Sequence, residues 1–494
     1  MDLKLHPKQS KAFTSPATEI LYGGAAGGGK SYLLRVAALA WATAIPGLQV
    51  YLFRRLSSDL AKNHLEGPTG FPALLADWLN KRLAKINYSD HFIAFSGGSK
   101  IFLCHCQHEK DVIKYQGADI HLLLMDELTH FTEYIYRYLR GRVRLAGLTV
   151  PPKLAGRFPR IICGSNPGGL GHNWVKNTFI SGAAPLDIRR MPIDEGGMLR
   201  QYIPAKLDDN PALADSDPDY VNRLAALGRP DLVRALRDGD WNIVAGGMFD
   251  DLWDERIHVV RPFPIPSSWR VDRAFDYGSS APFSVGWWAE SDGSEIIEPG
   301  GEVRQTVRGD LFRIAEWYGT SGKSNEGLRL LAADITAGII ERELSMGIHQ
   351  RVKPGPADNS IWNTEDGNSI AASMAKPVKI DGKVFPGLRW NRSDKAPGSR
   401  KAGWEKLRRY LNGAKVEFET VADGTRISKP REHPGLFVFE HCRKFIDLFP
   451  SLPRSDRDPD DVNTDAEDHI GDETRYRVLS SGLGARTGRT VGLI

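Results

Sequence analysis

The chain has 494 residues, 41% hydrophobic and 26% charged, which is more than one hydrophobic core ordinarily organises and predicts two or more domains. With 65 basic and 61 acidic residues, the net charge of +4 neither requires nor excludes a nucleic-acid partner. Four cysteines are too few for a disulfide framework, and no signal-peptide pattern or long apolar run is present. We therefore expect a soluble protein of a reducing cytoplasm.

A glycine-rich loop lies near the N-terminus. The apolar run EILY at 19–22 precedes it, and a helical pattern begins near Ser31. The loop places Gly24, Gly29, Lys30 and Ser31 in the P-loop spacing. Glycines let backbone N–H groups surround phosphates, the lysine reaches the β- and γ-phosphate oxygens, and the serine hydroxyl is a Mg²⁺ ligand. The strand–loop–helix context predicts a site for ATP with Mg²⁺.

The run IHLLLMDEL at 120–128 predicts a buried strand that ends in two carboxylates, Asp126 and Glu127. A strand of this kind matches a Walker B strand. Asp126 would hold Mg²⁺ through water, and Glu127 would polarise the attacking water.

Two further apolar runs, at 48–56 and 160–169, predict strands of the same sheet. The second ends in polar groups that would sense the γ-phosphate, Ser165 and Asn166, followed by Pro167. Strands interleaved with helices give an α/β fold with a mostly parallel sheet, and nucleotide would bind at the carboxyl ends of its strands.

Gln9 lies about twenty residues before Lys30. A glutamine at this distance would read adenine with its side-chain amide, or would be an ordinary surface polar residue. The residues alone leave both interpretations open.

A connector divides the chain. Residues 237–266 carry a Gly-Gly pair, scattered charges and a Pro-x-Pro end, and the helical run at 220–241 closes the preceding domain. We place the first domain at 1–245, with a helical subdomain or linker near 205–245, the linker at 246–266 and the second domain at 267–494.

The second half opens with residues 268–291, which predict two strands joined by a turn of small residues. Asp276 lies at the end of the first strand. The segments at 294–307 and 310–319 predict a further strand and a helix. A carboxylate at the end of the first strand of a meander is the arrangement of ribonuclease H-like nucleases, which cut phosphodiesters with two divalent ions. The alternative is a turn or capping aspartate.

A nuclease of this kind needs a second acid on a later strand. Asp334 lies in a run whose apolar spacing predicts a helix, which would leave it on the helix surface. Asp358 follows a short extended run that reaches a turn, and this strand-end position matches the chemistry better.

The third acid comes from TDAEDHIGDETRY at 464–476. On a helix, Asp465, Asp468, His469 and Asp472 share one face. That face is either a solvated acidic surface or one wall of a metal site. With Asp276 and Asp358 upstream, we favour the metal site, with Asp472 as ligand and Asp468 or His469 as further ligands or outer-shell residues.

This combination of a P-loop ATPase and a ribonuclease H-like nuclease resembles the large terminase subunit of tailed bacteriophages, the motor that packages DNA into proheads. The resemblance covers nearly the whole chain. It is carried by HPKQ, GGAAGGGKS, LLLMDE, SNPGG with GHNWVKNTFI, YIPAKLDDNP, GDW with GGMF, FDYGSSAPFSV, ADNSIW and DHIGDETRY. It implies a RecA/ASCE-like ATPase domain followed by a RuvC-type nuclease domain.

The resemblance also implies a role for each matching residue. Gln9 would contact adenine, Lys30 and Ser31 would form the P-loop pair, Asp126 and Glu127 the Walker B pair, and Ser165, Asn166 and Pro167 the coupling motif; Asp276, Asp358 and Asp472 would form the nuclease triad, with His469 beside it. The arginine finger is the departure. Arginines that many relatives carry in the P-loop or before Walker B are missing, which leaves Arg54, Arg142 and Arg144 as candidates.

The implied cofactors are ATP with Mg²⁺ and, in the nuclease, two Mg²⁺ or Mn²⁺ ions. The implied partners are double-stranded viral DNA, a small terminase subunit and the portal of the prohead, where the chain would form a ring, commonly a pentamer, in the host cytoplasm and away from membranes. An ATP-dependent helicase or repair factor with a non-catalytic DNA-binding C-terminal domain is the alternative. A non-enzymatic scaffold fits poorly, because the P-loop and Glu127 are intact.

Overall fold

The computed structural model describes residues 3–481 apart from 212, 214–216, 218, 227–232, 234–235, 242–246, 323–324, 366, 417, 421–425 and 456. The chain divides into two units, Met1–Gly247 and Met248–Ile494. The predicted boundary at residue 245 lies outside the described residues. None of the described helices has the length and apolar character needed to cross a membrane.

The first unit is built on a nine-stranded sheet. Its strands are β1 (Glu19–Gly24), β2 (Gln49–Arg54), β3 (Ala84–Asn87), β4 (Phe92–Phe95), β5 (Lys100–His105), β6 (Leu122–Asp126), β7 (Arg160–Ser165), β8 (Ile188–Arg190) and β9 (Leu199–Ala205). The order is β3-β4-β5-β2-β6-β7-β1-β9-β8. The six strands from β5 to β9 in this order pair in parallel, and antiparallel pairs close both edges. The predicted parallel α/β sheet is confirmed.

Helices cover this sheet. The α-helices of the unit are α1 (Pro7–Thr14), α2 (Lys30–Ala44), α3 (Ser57–Leu60), α4 (Phe71–Leu74), α5 (Ala76–Asn80), α6 (Glu133–Arg140), α7 (His172–Val175) and α8 (Tyr220–Ala225), with π-helical turns at Ala61–Leu65 and Lys176–Ile180. Alternate residues of β6 enter opposite cores: Leu122 and Leu124 face one, and Leu123 and Met125 the other. The central strands are therefore apolar on both faces, as expected for a parallel sheet buried between helical layers.

The second unit contains an eight-stranded sheet. Its main strands are β10 (Val259–Val260), β11 (Arg270–Asp276), β12 (Ser284–Glu290), β15 (Leu311–Tyr318), β16 (Val352–Lys353), β17 (Pro356–Ala357), β22 (Asn391–Arg392) and β25 (Leu436–Phe439). The order is β10-β25-β15-β12-β11-β17-β22, with β16 also paired to β11. Only β12 runs antiparallel to its neighbours, β11 and β15. This is the meander-plus-parallel arrangement of a ribonuclease H-like fold.

Four two-stranded hairpins and six α-helices complete the described part of this unit. The hairpins are β13 (Ile296–Ile297) with β14 (Val303–Arg304), β18 (Thr364–Glu365) with β19 (Asn368–Ser369), β20 (Val378–Ile380) with β21 (Lys383–Phe385), and β23 (Phe418–Thr420) with β24 (Arg426–Ser428). The helices are α9 (Glu255–His258), α10 (Ala332–Ser345), α11 (Ile370–Met374), α12 (Ser399–Gly413), α13 (Arg443–Leu448) and α14 (His469–Ser480).

Residues of the segment interpreted as a linker contribute to the core of this unit. Met248, Phe249, Val260 and Phe263 are all buried there. The Met248 N–H donates to the carbonyl of Leu452 at 2.7 Å. The segment from residue 248 onward is thus packed against the second unit rather than extended through solvent.

Two local predictions in the second half are wrong. The segment at 310–319 forms strand β15 instead of a helix; residues 311–315 are all buried, so the strand lacks the polar alternation that identifies an exposed one. The helix at the end of the chain begins at His469, and Asp468 is its N-cap. Asp465 lies before the helix, where its N–H donates to Asn463 Oδ1 at 2.9 Å, so it does not share the helical face.

Candidate functional site

The P-loop joins β1 to the N-terminus of α2. Gly24, Gly27 and Gly29 have positive φ angles of 132°, 74° and 73°, which glycine adopts without a steric cost. Lys30 is buried, and its ammonium donates to the carbonyl of Ala25 at 2.9 Å and to the side-chain oxygen of Asn166. Burial lowers the pKa of Lys30, while the charges of Glu127 and Asp126 raise it.

Asp126 ends β6 beside the P-loop and is completely buried. The Ser31 hydroxyl donates to Asp126 Oδ2 at 2.9 Å, so the two predicted Mg²⁺-binding side chains meet. Glu127 follows with φ +58°, in the left-handed region that is unfavourable for a side chain with a Cβ. That conformation turns the chain sharply after β6 and leaves Glu127 partly exposed while Asp126 stays buried.

Two further side chains contact Asp126. Arg54, at the end of β2, donates through Nε to Asp126 Oδ2 at 2.9 Å, and its Nη2 lies 3.8 Å from Glu127 Oε1. His64 is buried with Nε2 at 3.1 Å from the same Oδ2. Burial favours a raised pKa for Asp126, but the hydrogen bonds from His64 and Arg54, together with the positive charge of Arg54, lower it below its usual value. Asp126 is therefore ionised at neutral pH.

Burial also lowers the pKa of His64, so this ring is neutral near pH 7. Its Nδ1 lies 3.4 Å from Arg35 Nη1, which makes Nδ1 the acceptor and Nε2–H the donor to Asp126. No motif marks His64 in the sequence. Arg54 is marked there only as one of three arginine-finger candidates.

The other two arginine candidates have different contacts. The Arg142 guanidinium lies over the ring of Tyr138, 4.7 Å from its centroid. Arg144 pairs with Asp119 at the surface. Of the three candidates, Arg54 is the one with a contact to the Walker B carboxylates.

The residues after β7 connect the P-loop to the loop after Walker B. Ser165 Oγ accepts from the N–H of Thr129 at 3.0 Å, and the Thr129 hydroxyl donates to the carbonyl of Asn166 at 3.2 Å. The side-chain oxygen of Asn166 accepts a hydrogen bond from the ammonium group of Lys30. Gln9, 2% exposed, donates through Nε2 to the carbonyl of Gly29 at 2.9 Å. All predicted nucleotide-site residues thus lie in one connected cluster.

The second cluster is in the other unit, where strand ends bring carboxylates together. Asp276 ends β11 and is buried. Phe275 pairs with Ala357 of β17, and the N–H of Asp358 donates to the carbonyl of Phe275 at 2.9 Å. Parallel neighbouring strands therefore deliver Asp276 and Asp358 to the same edge. Asp334, the less favoured alternative, is exposed in the first turn of α10.

Helix α14 packs against β11 and adds the remaining groups. His469 Nδ1 lies 3.1 Å from Asp276 Oδ2. Burial raises the pKa of Asp276; the hydrogen bond and charge of His469 oppose this, and the charges of Asp472 and Asp358 add to it. Burial and the charge of Asp472 raise the pKa of Asp468 to about 7. These shifts are those of acids crowded together with little water.

Cationic side chains and one tyrosine bind the carboxylates of this cluster, and the cationic groups offset their negative charge. Asp358 Oδ2 accepts from the Tyr476 hydroxyl at 2.7 Å and from Lys395 Nζ at 2.8 Å. Arg400 donates to Asp472 at 3.1 Å, to Asp468 at 3.4 Å and to Asp461 at 2.7 Å. No sequence motif marks Lys395 or Arg400, which are brought in from distant positions, and Tyr476 ends the DHIGDETRY segment without a role assigned to it.

The donor set suits hard divalent cations, since it consists of carboxylates at strand ends and a helix start. In the described part of the chain, however, no three His, Cys, Asp or Glu groups are arranged around a common ion position. Lys395 and Arg400 occupy carboxylate oxygens that a metal would use. Arg400 contacts both Asp468 and Asp472, so geometry does not choose between them as third ligand.

Together, the fold and the two clusters define a class of protein: a P-loop NTPase fold followed by a ribonuclease H-like fold with acids at its strand ends. Residues 21–256 match the family model described as terminase large subunit, T4likevirus-type, N-terminal. The N-terminal unit is therefore similar to the N-terminal part of large terminases.

Solved structures of large terminases resemble the chain at low identity. The large terminase of a thermophilic bacteriophage, in complex with ADP, is 16% identical, over 97% of this chain and 99% of that chain, with a TM-score of 0.37. The bacteriophage HK97 large terminase is 12% identical over 88% and 93%, with a TM-score of 0.41. The P22 large terminase nuclease domain is 15% identical over 48% and 92%, with a TM-score of 0.30. No curated protein matches the sequence.

Proposed function

We propose that the chain is an ATP-driven motor subunit that translocates double-stranded viral DNA into a prohead and cuts the concatemeric genome with its own metal-dependent endonuclease. The observation that carries the proposal is the presence of two separate reaction centres in one chain. The P-loop cluster around Lys30 and Asp126 supports nucleotide hydrolysis. The cluster of Asp276, Asp358 and Asp472 supports phosphodiester cleavage.

In the first centre, Lys30, Ser31 and Asp126 would hold ATP with its Mg²⁺. The ATP would supply the phosphoanhydride bond, and the Mg²⁺ would neutralise the negative charge of the phosphates. Gly24 and Gly29 let the loop approach the phosphates. Glu127 accepts the proton of the attacking water, and its partly exposed position after β6 suits this role. Asn166 contacts Lys30, and Ser165 contacts Thr129 in the loop after β6. This pair would therefore transmit a change in the position of Lys30 to that loop.

In the second centre, Asp276, Asp358 and Asp472 would hold two Mg²⁺ or Mn²⁺ ions, which activate the attacking water and stabilise the leaving oxygen. Asp468 is the alternative third ligand. His469 holds the Asp276 carboxylate in place through the hydrogen bond at 3.1 Å. Besides burial, the charges of both Asp472 and Asp358 raise the pKa of Asp276, so Asp276 is the residue whose loss should affect cleavage most.

The functional division follows from these clusters. We assign ATPase activity to 1–245, including the 205–245 segment, a connecting role to 246–266 and nuclease activity to 267–494. The match of residues 21–256 to the terminase family model supports a small terminase subunit, the portal and a homo-oligomeric ring, commonly a pentamer, as partners in the host cytoplasm.

Plasmid cleavage by the purified chain tests the proposal. With Mg²⁺ or Mn²⁺, wild type should nick or linearise the plasmid, and EDTA, Asp276→Ala and Asp472→Asn should each abolish cutting. Lys401→Gln, an exposed neighbour that pairs with Asp458, serves as control and should cut normally. Cutting that survives both aspartate substitutions would refute the nuclease assignment. ATP-dependent unwinding of a forked duplex without cutting would favour a helicase.

A further inference from the structure

The P-loop is held from outside by side chains of three different elements. Three consecutive glycine carbonyls each accept a hydrogen bond from a side chain: Asn210 Nδ2 donates to Gly27 O at 2.6 Å, the Tyr22 hydroxyl donates to Gly28 O at 3.1 Å, and Gln9 Nε2 donates to Gly29 O at 2.9 Å. Gly29 O also accepts from the N–H of Leu33 in α2 at 3.0 Å. Tyr22 belongs to β1, Gln9 to α1, and Asn210 follows the short 3₁₀ helix Leu207–Asp209 after β9. These three donors are called the P-loop brace below.

The brace fixes the direction of the backbone amides. In a planar trans peptide, the C=O of one residue and the N–H of the next point in opposite directions. Carbonyls held toward the brace therefore turn the N–H groups of Gly28, Gly29 and Lys30 away from it. Successive N–H groups turned to one side form the anion-binding concavity that a P-loop offers to phosphates.

The brace residues are committed to this task by their surroundings. Gln9 and Tyr22 are 2% and 1% exposed. The Gln9 amide is engaged at both ends, because its Oε1 also accepts from the N–H of His6 at 2.8 Å. Each end of the Gln9 amide therefore has a partner within the protein, which fixes the side chain against Gly29.

The close approach of the brace also accounts for a glycine. A Cβ on Gly29 would lie 2.4 Å from Gln9 Nε2, and the residue has a φ of +73°. Gly29 is therefore required both by its backbone conformation and by the contact with Gln9.

We propose that Gln9, Tyr22 and Asn210 are positioning residues that preorganise the P-loop for the triphosphate, so that each of them contributes to nucleotide binding through the phosphates. The proposal rests on the proposed function, because it requires that the P-loop binds a nucleotide. It gives Gln9 a role toward the phosphates, where the resemblance implies an adenine contact, and it gives roles to Tyr22 and Asn210, to which the motifs that contain them assign none.

The test uses the full chain with Gln9→Ala, Tyr22→Phe and Asn210→Ala. Tyr22→Phe removes only a hydroxyl, so it keeps the test valid if another variant fails to fold. Tyr115→Phe is the matched control, since its hydroxyl donates to the carbonyl of His105 at 2.8 Å, outside the P-loop. Isothermal titration calorimetry gives the dissociation constants for ATP, GTP and inorganic tripolyphosphate, each with Mg²⁺.

Each brace variant should weaken all three ligands by a similar factor of about five, the effect of losing one hydrogen bond of typical strength. The ATP-to-GTP ratio should stay at its wild-type value, and Tyr115→Phe should bind as wild type does. Loss of ATP binding alone in Gln9→Ala, or wild-type affinities in Tyr22→Phe, would overturn the brace while leaving nucleotide binding intact. A wild-type chain that binds none of the three ligands would overturn both the brace and the proposed function.

Discussion

In both clusters, the pKa of an aspartate is set by its burial together with the charged or hydrogen-bonding side chains next to it. Asp126 and Asp276 both end buried strands, yet their pKa values shift in opposite directions. Asp126 has His64 and Arg54 as donors, which outweigh burial. Asp276 has one histidine and two neighbouring aspartates, so burial and repulsion prevail. The same residue type at the end of a buried strand thus has a lowered pKa in one unit and a raised pKa in the other.

The pair of His469 and Asp276 predicts a pH dependence of stability. Burial lowers the pKa of His469, but the hydrogen bond and charge of Asp276 outweigh it and raise the pKa to about 8. The folded-state pKa exceeds that of the unfolded chain, about 6.5. The stabilisation is therefore complete below pH 6.5 and is lost as pH rises through 8, a change of about 2 kcal/mol.

Guanidinium unfolding in EDTA at pH values from 6 to 9 measures this effect. The wild-type unfolding midpoint should fall across that range, and His469→Asn should reduce the fall. The exposed His433 in the same unit provides the control, since His433→Asn should keep the wild-type slope. Equal slopes in wild type and His469→Asn would contradict a protonated His469 in the folded protein.

One connecting segment carries two of the cationic side chains that contact the carboxylate cluster, and Arg475 of α14, whose Nε donates to Asp472 Oδ1 at 3.2 Å, is a third. Residues 393–400, SDKAPGSR, run from the end of β22 into the first turn of α12. Lys395 contacts Asp358, and Arg400 contacts Asp461, Asp468 and Asp472. These side chains supply positive charge where the proposed nuclease needs metal ions. A metal ion at Asp472 would therefore compete with Arg400 for the same carboxylate oxygens.

Replacing Arg400 should change metal affinity. Arg400→Gln removes a positive charge that neutralises Asp468 and Asp472. Because more of their negative charge is then uncompensated, Mn²⁺ should bind about tenfold more tightly. Electron paramagnetic resonance of unbound Mn²⁺ measures this without reference to cleavage. Lys401→Gln removes a charge one residue away that pairs with Asp458, and it should leave the affinity unchanged. A weaker Mn²⁺ affinity in Arg400→Gln would mean that Arg400 supports the site instead of competing for it.

The elements that the sequence predicted well are those whose side chains are specified locally. β1 with α2, β6 and β11 each combine an apolar run with a polar end, so Lys30, Asp126 and Asp276 could be placed from the sequence. β15 was missed because a strand buried on both faces has no alternation. Asp465 was misplaced because an asparagine turn, set by Asn463, delays the helix to His469.

The partners of these side chains could not be predicted. His64 reaches Asp126 across 62 residues, and Tyr476 reaches Asp358 across 118. Asn210 reaches the P-loop across 183 residues. Such contacts depend on how strands and helices assemble, which a single sequence does not specify, whereas motif spacing is a property of one strand and the loop that follows it.

At the scale of the whole molecule, each centre is assembled within one unit. The P-loop cluster draws on β1, β2, β6 and β7 of the first sheet, and the carboxylate cluster draws on β11, β17 and α14 of the second. The hydrophobic cores are likewise separate, with one cluster of buried residues in the second unit and two in the first. Among the described residues, none of the side chains named in one centre belongs to the other, so we expect a substitution in one centre to leave the side chains of the other in place.

This separation predicts that the two activities can be removed independently. Lys30→Ala should reduce ATP hydrolysis by at least a factor of about 100, since it removes the charge that contacts the transferring phosphate. The same variant should keep Mn²⁺-dependent plasmid cleavage near the wild-type rate. Asp276→Asn should do the reverse, because it preserves size while removing one metal-binding charge. Phosphate release and plasmid nicking, measured on the same preparations, give both rates. Loss of both activities in either variant, with the melting temperature unchanged, would show that one centre depends on the chemistry of the other and would replace two independent centres with a single coupled one.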